Sequence, residues 1–357
     1  MSVLVKSQTD RSLLQQAEAA IRTCLADVPF TRIDKVQITT GSGADDRRDL
    51  QFSARFGRLR KRLVVETKNS GQPRLARQAA ANLRLLRQSA PSIYGIFAAP
   101  FITPETGDQL AKQEIGYVDF AGNCRLCFDT VYIRREGRTN RFTEKRDLRT
   151  IYSPRAERVL RALFDNPKRA WKVQELASEA WVSLGLVSNV KRLLQDREWL
   201  LVGDDGFRLA RPRNLLDEWR QNYELERSRR KDFFTLDAPS TVEQKIAASC
   251  GQNSLRYTLA AFSAAARYAP AVRYQRVFAY IDDPAALAKL ISLKPVDSGA
   301  NVTLLEPYDA GVYLGTREVA GAVITAPCQT YLDLAKLPGR GEEAADVLLR
   351  DVLEPAW

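Results

Sequence analysis

Histidine is absent from this chain of 357 residues. That absence removes histidine-based triads, imidazole general bases and histidine metal ligands. Methionine occurs once and cysteine five times, which does not make a disulfide framework over this length. The stretch CRLC, Cys124 to Cys127, is a lone CxxC with no second pair. It reads as part of a strand, where residues three apart face opposite sides. Buried, reduced thiols and a cytoplasmic setting are expected. No run of about 18 apolar residues occurs, so no membrane span is expected. The longest apolar run, SIYGIFAAPFI, is strand-sized and holds Gly and Pro. The opening MSVLVKSQTD has no basic region leading into an apolar one, so no signal peptide is expected.

What the chain does have is positive charge, +11 in all. Residues 1–150 carry 26 Lys/Arg against 16 Asp/Glu, and residues 151–213 carry 12 against 8. Residues 214–357 reverse the sign, with 16 against 19. The front of the chain is suited to a polyanion and the last third is not, a distribution that favours nucleic acid over a generally basic surface.

The length suggests two or three domains. Residues 11–26 show helical spacing, and TRIDKVQITTG, DLQFSARF and RLVVETK read as strands. A helix follows with Pro73 in its first turn, then a buried strand, then a helix with Thr103 as N-cap, Pro104 at its start and Gly116 at its end. This is a mixed α/β domain, 1–136, followed by a basic linker, 137–152. Residues 153–213 hold three helices and a hairpin, 214–249 a charged helical connector, and 250–357 an α+β domain. In the last, a helix is expected at 254–268 and a strand near 311–318.

Helix, helix, Ser-led helix and hairpin is the pattern of a winged helix-turn-helix. Its third helix fits the DNA major groove and reads bases from its first turns. Ser183, Ser188, Asn189, Lys191 and Arg192 stand there, while Leu186, Val190, Leu193 and Leu194 would pack inward. Arg208 on the hairpin, with Arg211 and Arg213 beyond it, would meet phosphates. The same module also serves elsewhere as a spacer or dimerisation unit.

The N-terminal hairpin raises a second chemistry. A two-residue turn at Gly57-Arg58 would set Asp49 opposite Glu66. Lys68, two residues on, shares the face of Glu66. Two carboxylates can hold Mg²⁺, which activates water and neutralises phosphate charge. The lysine can orient that water. Glu18 would be an outer ligand, and Arg77 and Gln78 would touch the phosphate. A longer turn within residues 59–61 would shift the pairing and separate Asp49 from Glu66. Asp49 with Glu66-Thr67-Lys68, on this α-β-β-β-α-β frame, resembles the PD-(D/E)XK nuclease superfamily. The resemblance implies a restriction-endonuclease-like fold, with either an active Mg²⁺-dependent site or a vestigial one.

Three further stretches are EIGYVDFAGNCRL (114–126), VSLGLVSNVKRLLQDREWL (182–200) and APCQTYLDLAKLPGRGEEAADVLL (326–349). In that order they resemble the AbiEi-type antitoxins of type IV toxin-antitoxin systems, through D-x-A-G-N, V-S-x-G-x-V-S and Y-x-D-L…EAA. The resemblance implies a transcriptional regulator that binds double-stranded operator DNA through its winged helix. It also implies a nucleotidyltransferase-like toxin opposed without direct contact. Tyr331, Asp333, Leu334, Arg340, Glu342 and Glu343 would mark the antitoxin domain, with Tyr331 and Leu334 as core and Asp333 and Arg340 as caps or ion pairs. DNA binding needs no cofactor, and a homodimer remains open. Simple AbiEi antitoxins lead with the winged helix, whereas a 150-residue α/β domain precedes it here.

Overall fold

The first helix owes its burial to spacing. In α1 (Ser2–Ala26), Leu14, Ala17, Ile21, Cys24 and Leu25 recur on one stripe and are buried. They lie against the inner face of the strands that follow. The computed structural model describes residues 2–26, 28–40, 48–140, 151–270 and 273–357. The chain divides into two units, Met1–Glu144 and Lys145–Trp357.

The first unit is built on a seven-stranded sheet whose spatial order is the sequence order. Strands β1 (Thr31–Thr40), β2 (Arg48–Phe56) and β3 (Leu59–Thr67) form an antiparallel meander. Helix α2 (Pro73–Ser89) carries the chain to β4 (Ile93–Ala99), parallel to β3, and α3 (Pro104–Lys112) carries it to β5 (Gly116–Asp119), parallel to β4. Strands β6 (Cys124–Phe128) and β7 (Val131–Arg135) close the sheet antiparallel. Alternation decides the faces. Leu50, Phe52, Ala54, Leu63 and Val65 pack on the α1 side, while Val64 joins Ala76, Ala79, Ala80 and Leu83 of α2 on the other.

The turn of the β2–β3 hairpin is Gly57-Arg58, with Gly57 at φ +60, a conformation glycine adopts without strain. Phe56 pairs with Leu59, so Asp49 pairs with Glu66. The DFAGN stretch is a locked turn. Asp119, fully buried, accepts from the backbone N–H groups of Ile102, Gly122 and Asn123 and from the Asn123 side chain. Asn123 in turn accepts from the Arg138 N–H. Asp119→Ala orphans these donors at once and should cost about 2–4 kcal/mol, read as a lower urea midpoint.

The CRLC cysteines do lie on opposite sides: Cys124 is buried and Cys127 exposed. The neighbour of Cys124 is Cys24 of α1, with the two Sγ atoms 2.8 Å apart.

In the second unit, helices α4 (Pro154–Asp165), α5 (Val173–Glu179) and α6 (Leu184–Asp196) precede a hairpin of β8 (Leu200–Gly203) and β9 (Gly206–Leu209). Trp171 bridges to Phe207 and seats the hairpin on the helices. Gly206 is at φ +137, and a Cβ there would lie 2.5 Å from the Trp171 carbonyl oxygen. Gly206→Ala should therefore destabilise this unit by about 2 kcal/mol or more, seen as a drop in Tm.

After α7 (Pro212–Asn222) comes β10 (Arg229–Phe234), then α8 (Pro239–Gln252), β11 (Tyr257–Leu259), α9 (Ala261–Tyr268), β12 (Val277–Ile281) and α10 (Pro284–Leu290). The rest comprises β13 (Lys294–Pro295), β14 (Val302–Glu306), β15 (Arg317–Val319), β16 (Ala322–Ile324), α11 (Pro327–Leu334) and α12 (Arg340–Leu348). The sheet order is β13-β10-β14-β12-β11-β16-β15, with mixed directions. One core runs from Leu160, Val190 and Leu194 of the helices through Trp219 to Tyr280, Tyr331 and Leu348.

Four expectations change. The stretch 214–249 is not purely helical, because β10 pairs with β14 across the sheet. Residues 254–268 split into β11 and α9, since β11 finds partners in β12 and β16. Near 311–318 a 3-10 turn, Ala310–Tyr313, precedes the short β15. Of the basic linker, 141–150 lie outside the described residues, and Ile151 and Tyr152 are buried in the core of the second unit.

Candidate nucleic-acid interface and carboxylate cluster

Ser183 caps α6, accepting from the Leu186 N–H. This fixes where the helix begins and which face turns outward. Val187, Val190, Leu193 and Leu194 are buried, and Leu186 is half-buried. Ser183, Leu184, Gly185, Ser188 and Arg192 are exposed. Leu184, 54% exposed at the helix start, is an apolar group that spacing alone assigns no role. Asn189 accepts from Arg192 at 2.9 Å, so the two present one polar unit.

Lys191 belongs to a different surface. Its Nζ lies 4.8 Å from the centre of the Phe207 ring, where it packs helix against hairpin. Arg208 is exposed on β9 opposite Leu201, and Arg211 is exposed just beyond. Arg213 is engaged with Asp217 at 3.0 Å and Glu354 at 2.8 Å. The hairpin tip carries Asp204 and Asp205, both exposed. The exposed cations of the hairpin, Arg208 and Arg211, therefore stand away from an acidic tip.

The carboxylate cluster comes together in part. Glu66 is 2% exposed, with Lys68 Nζ at 3.1 Å and the Asn82 amide donating at 3.1 and 3.3 Å. Asp49 occupies the register position opposite Glu66. Glu18 does not join them. It pairs with Arg22 along α1, and α1 covers the face of the sheet opposite to the one where Glu66 meets α2. Arg77 and Gln78 are exposed on α2, and it is Asn82 that reaches Glu66. Among the described residues no three Cys, Asp or Glu side chains converge as a metal-holding group. Nor is any helix among them long and apolar enough to cross a membrane.

With this geometry in view, comparison with known proteins bears on the second unit. Residues 208–354 match the family described as "Transcriptional regulator, AbiEi antitoxin, Type IV TA system". The AbiEi match begins within β9 and leaves α4–α6 and the first unit outside it. No curated protein matches the chain. Among solved structures, that of EndoMS in apo form is similar at 19% identity, covering 29% of this chain and 45% of that one, with a TM-score of 0.21. A likeness so slight carries no argument about the first unit.

Within the AbiEi-matched segment, Tyr331 and Leu334 are core residues, as expected. Arg340 forms an exposed pair with Glu343 at 3.1 Å, and Glu342 lies 3.4 Å from Arg220. Asp333 is neither cap nor ion pair. It is fully buried and accepts from Tyr223 at 2.7 Å, Tyr280 at 2.9 Å and Gln329 at 2.7 Å. Burial pushes its carboxyl up to about 6, against the three hydrogen bonds.

Gln329 also accepts from Arg161 of α4 at 2.8 Å. Arg158 of α4 holds Asp309 through two bonds, of 2.7 and 2.8 Å. The arginine beside Asp309 helps keep that carboxyl below its usual range, although burial alone would raise it. Spacing in the sequence gave no sign of these links, because the partners are 151 and 168 positions apart.

Proposed function

We propose that this chain is a DNA-binding transcriptional regulator of antitoxin type, and that α4–α6 with the β8–β9 hairpin act as a winged helix on operator DNA. The observation that carries this reading is the face of α6. A capped helix start leaves Ser183, Leu184, Ser188 and Arg192 outward while its apolar residues are buried. Small hydrogen-bonding and cationic side chains at the start of a helix are what base edges in the major groove accept. Asn189 orients Arg192. Arg208 and Arg211 would bind phosphate and set the register. The AbiEi match of the adjoining segment supports the antitoxin role, with a nucleotidyltransferase-like toxin as the functional partner and no cofactor needed for DNA binding.

The test is binding to the promoter region of the chain's own gene. Ser188→Ala with Arg192→Ala should weaken operator binding by roughly 10–100-fold and leave binding to random duplex nearly unchanged. Lys191→Ala alone should have the smaller effect, because its ammonium lies on Phe207. Operator affinity that survives the double substitution would refute the reading.

A second reading rests on the hairpin register. Asp49 and Glu66 would hold Mg²⁺, which would supply an activated water for phosphodiester cleavage, and Lys68 would position that water. Glu66 and Lys68 already touch, and Asp49 stands opposite in register. Mg²⁺-dependent nicking of plasmid that disappears in Glu66→Ala would establish it. Intact plasmid under the same conditions would leave Glu66 as a buried polar residue of the sheet.

A further inference from the structure

We propose that the open face of β1–β3 is a second DNA-contact surface, independent of base sequence and separate from the α6 face. The register stacks the polar residues of the three strands into rows. Arg32 pairs with Arg55, and Arg55 with Arg60, so three guanidiniums stand side by side. The next row is Lys35, Ser53 and Arg62. Arg32, Lys35, Arg60 and Arg62 are exposed and Arg55 is half-buried. The outward facing of these rows is fixed from behind, because Phe52, Ala54, Leu63 and Val65 are buried against α1. Helix α2 covers Val64 and reaches Glu66, and leaves both cationic rows exposed.

Like charges directly opposed on neighbouring strands cost stability. Here five cations are gathered and, among the described residues, Asp34 at the bulge of β1 is the carboxylate that pairs with one of them, Arg55 at 2.8 Å. Folding does not require this arrangement, and a polyanion relieves it. Rows two residues apart are about 6.6–7 Å from one another along the strands, which spreads the charge into a track rather than a pocket for a single anion. A duplex phosphate backbone is the matching partner.

The experiment uses the full chain and a duplex of random sequence, titrated over a range of salt. Arg32→Gln, Lys35→Gln, Arg60→Gln and Arg62→Gln together should weaken binding at least roughly ten-fold, and should flatten the plot of log affinity against log salt by about 3–4. Arg55 is left intact because Asp34 holds it. Replacing Arg32, Arg60 and Arg62 by Lys should preserve both affinity and slope. An unchanged slope in the Gln variant, loss of binding in the Lys variant, or tighter binding of single-stranded RNA than of duplex would overturn the proposal. The Ser188/Arg192 variant keeps this surface and loses operator discrimination, so the two readings fail separately.

A different observation carries a second inference: Cys24 and Cys124 form an oxidisable dithiol. The thiols lie 2.8 Å apart, one on α1 and one on β6, at a cleft of about 270 Å³ also lined by Gln16, Asp119 and Arg135. The adjoining Cys24 thiol holds Cys124 below its ordinary range, with Arg135 assisting and burial opposing. With a peroxide as oxidant, the Cys124 sulfur takes one oxygen as a sulfenic acid and the first water leaves. The Cys24 sulfur then displaces that oxygen as a second water and closes the S–S bond, so two thiols and one peroxide give a disulfide and two waters.

Peroxide treatment of the full chain should lower its mass by two hydrogens and yield a cross-linked peptide pair containing Cys24 and Cys124. Cys127→Ser should leave this unchanged, and Cys24→Ser or Cys124→Ser should abolish it. A cross-link through Cys127, overoxidation of Cys124 alone, or thiols that stay reduced would overturn the inference.

Discussion

Replacing Arg161 by Met should destabilise the second unit by about 3–5 kcal/mol, although methionine fills much of the same space. Arg161 is 2% exposed. It donates to Gln329 at 2.8 Å and to Tyr308 at 2.9 Å, and lies 3.4 Å from Glu157. Glu157 is fully buried and keeps Arg227 at 3.0 Å and the Tyr308 hydroxyl as its other partners. Without Arg161 a buried carboxylate loses half of its countercharge, and the Gln329 carbonyl loses a donor. The cost of one uncompensated charge exceeds the worth of the pair itself.

The comparison that isolates the charge is Glu157→Gln with Arg161→Met, which should recover about 1 kcal/mol or more of the single-variant loss. Urea unfolding followed by circular dichroism reads both. A single variant as stable as the parent would mean that the cluster is passively accommodated. The effect bears on function because α4 is the first helix of the proposed winged helix and Gln329 stands on α11. The cluster fastens α4 to Gln329, Arg227 and Tyr308 of the AbiEi-matched segment.

Local features were the legible ones. The hairpin register could be read because Gly57 supplies the turn conformation and the alternation of β2 fixes which residues face inward. The start of α6 could be read because Ser183 is a good cap and the apolar spacing behind it is helical. Sidedness was less accessible. Helical periodicity brings Glu18 to one stripe of α1 but cannot say on which face of the sheet α1 lies, and that face is not the one of Glu66.

The identity of β10 is likewise non-local. RRKDFF is charged enough to resemble a connector until β14 pairs with it. The cationic rows of the first sheet depend on the β1–β2 register, including a bulge between Ile33 and Lys35 that no spacing rule reveals. Lys191 stands at the expected place on α6, yet the ring that captures it belongs to β9.

Asp333→Asn should abolish a pH dependence of stability that the parent protein shows between about pH 4 and pH 6. The folded carboxyl titrates at about 6 because burial raises it further than Tyr223, Tyr280 and Gln329 lower it. In the unfolded chain an aspartate titrates near ~3.9. The native state therefore binds more protons between these values. The stabilising contribution is complete below the unfolded pKa and is lost as pH rises through the folded one. A shift of about 2 units corresponds to about 3 kcal/mol.

Asparagine keeps an oxygen for the three donors and carries no charge, so Asp333→Asn should flatten the slope and leave stability at neutral pH equal to or above the parent's. Urea midpoints at several pH values decide it. An equal loss of stability across the whole range would show instead that Asn cannot satisfy the donors and that charge was not the issue. A carboxylate kept where it costs stability has a compensating geometric use. It gathers the hydroxyls of Tyr223, just past the end of α7, and Tyr280 of β12 and the amide of Gln329 of α11 onto one oxygen, and this ties together the elements around which the matched segment is packed.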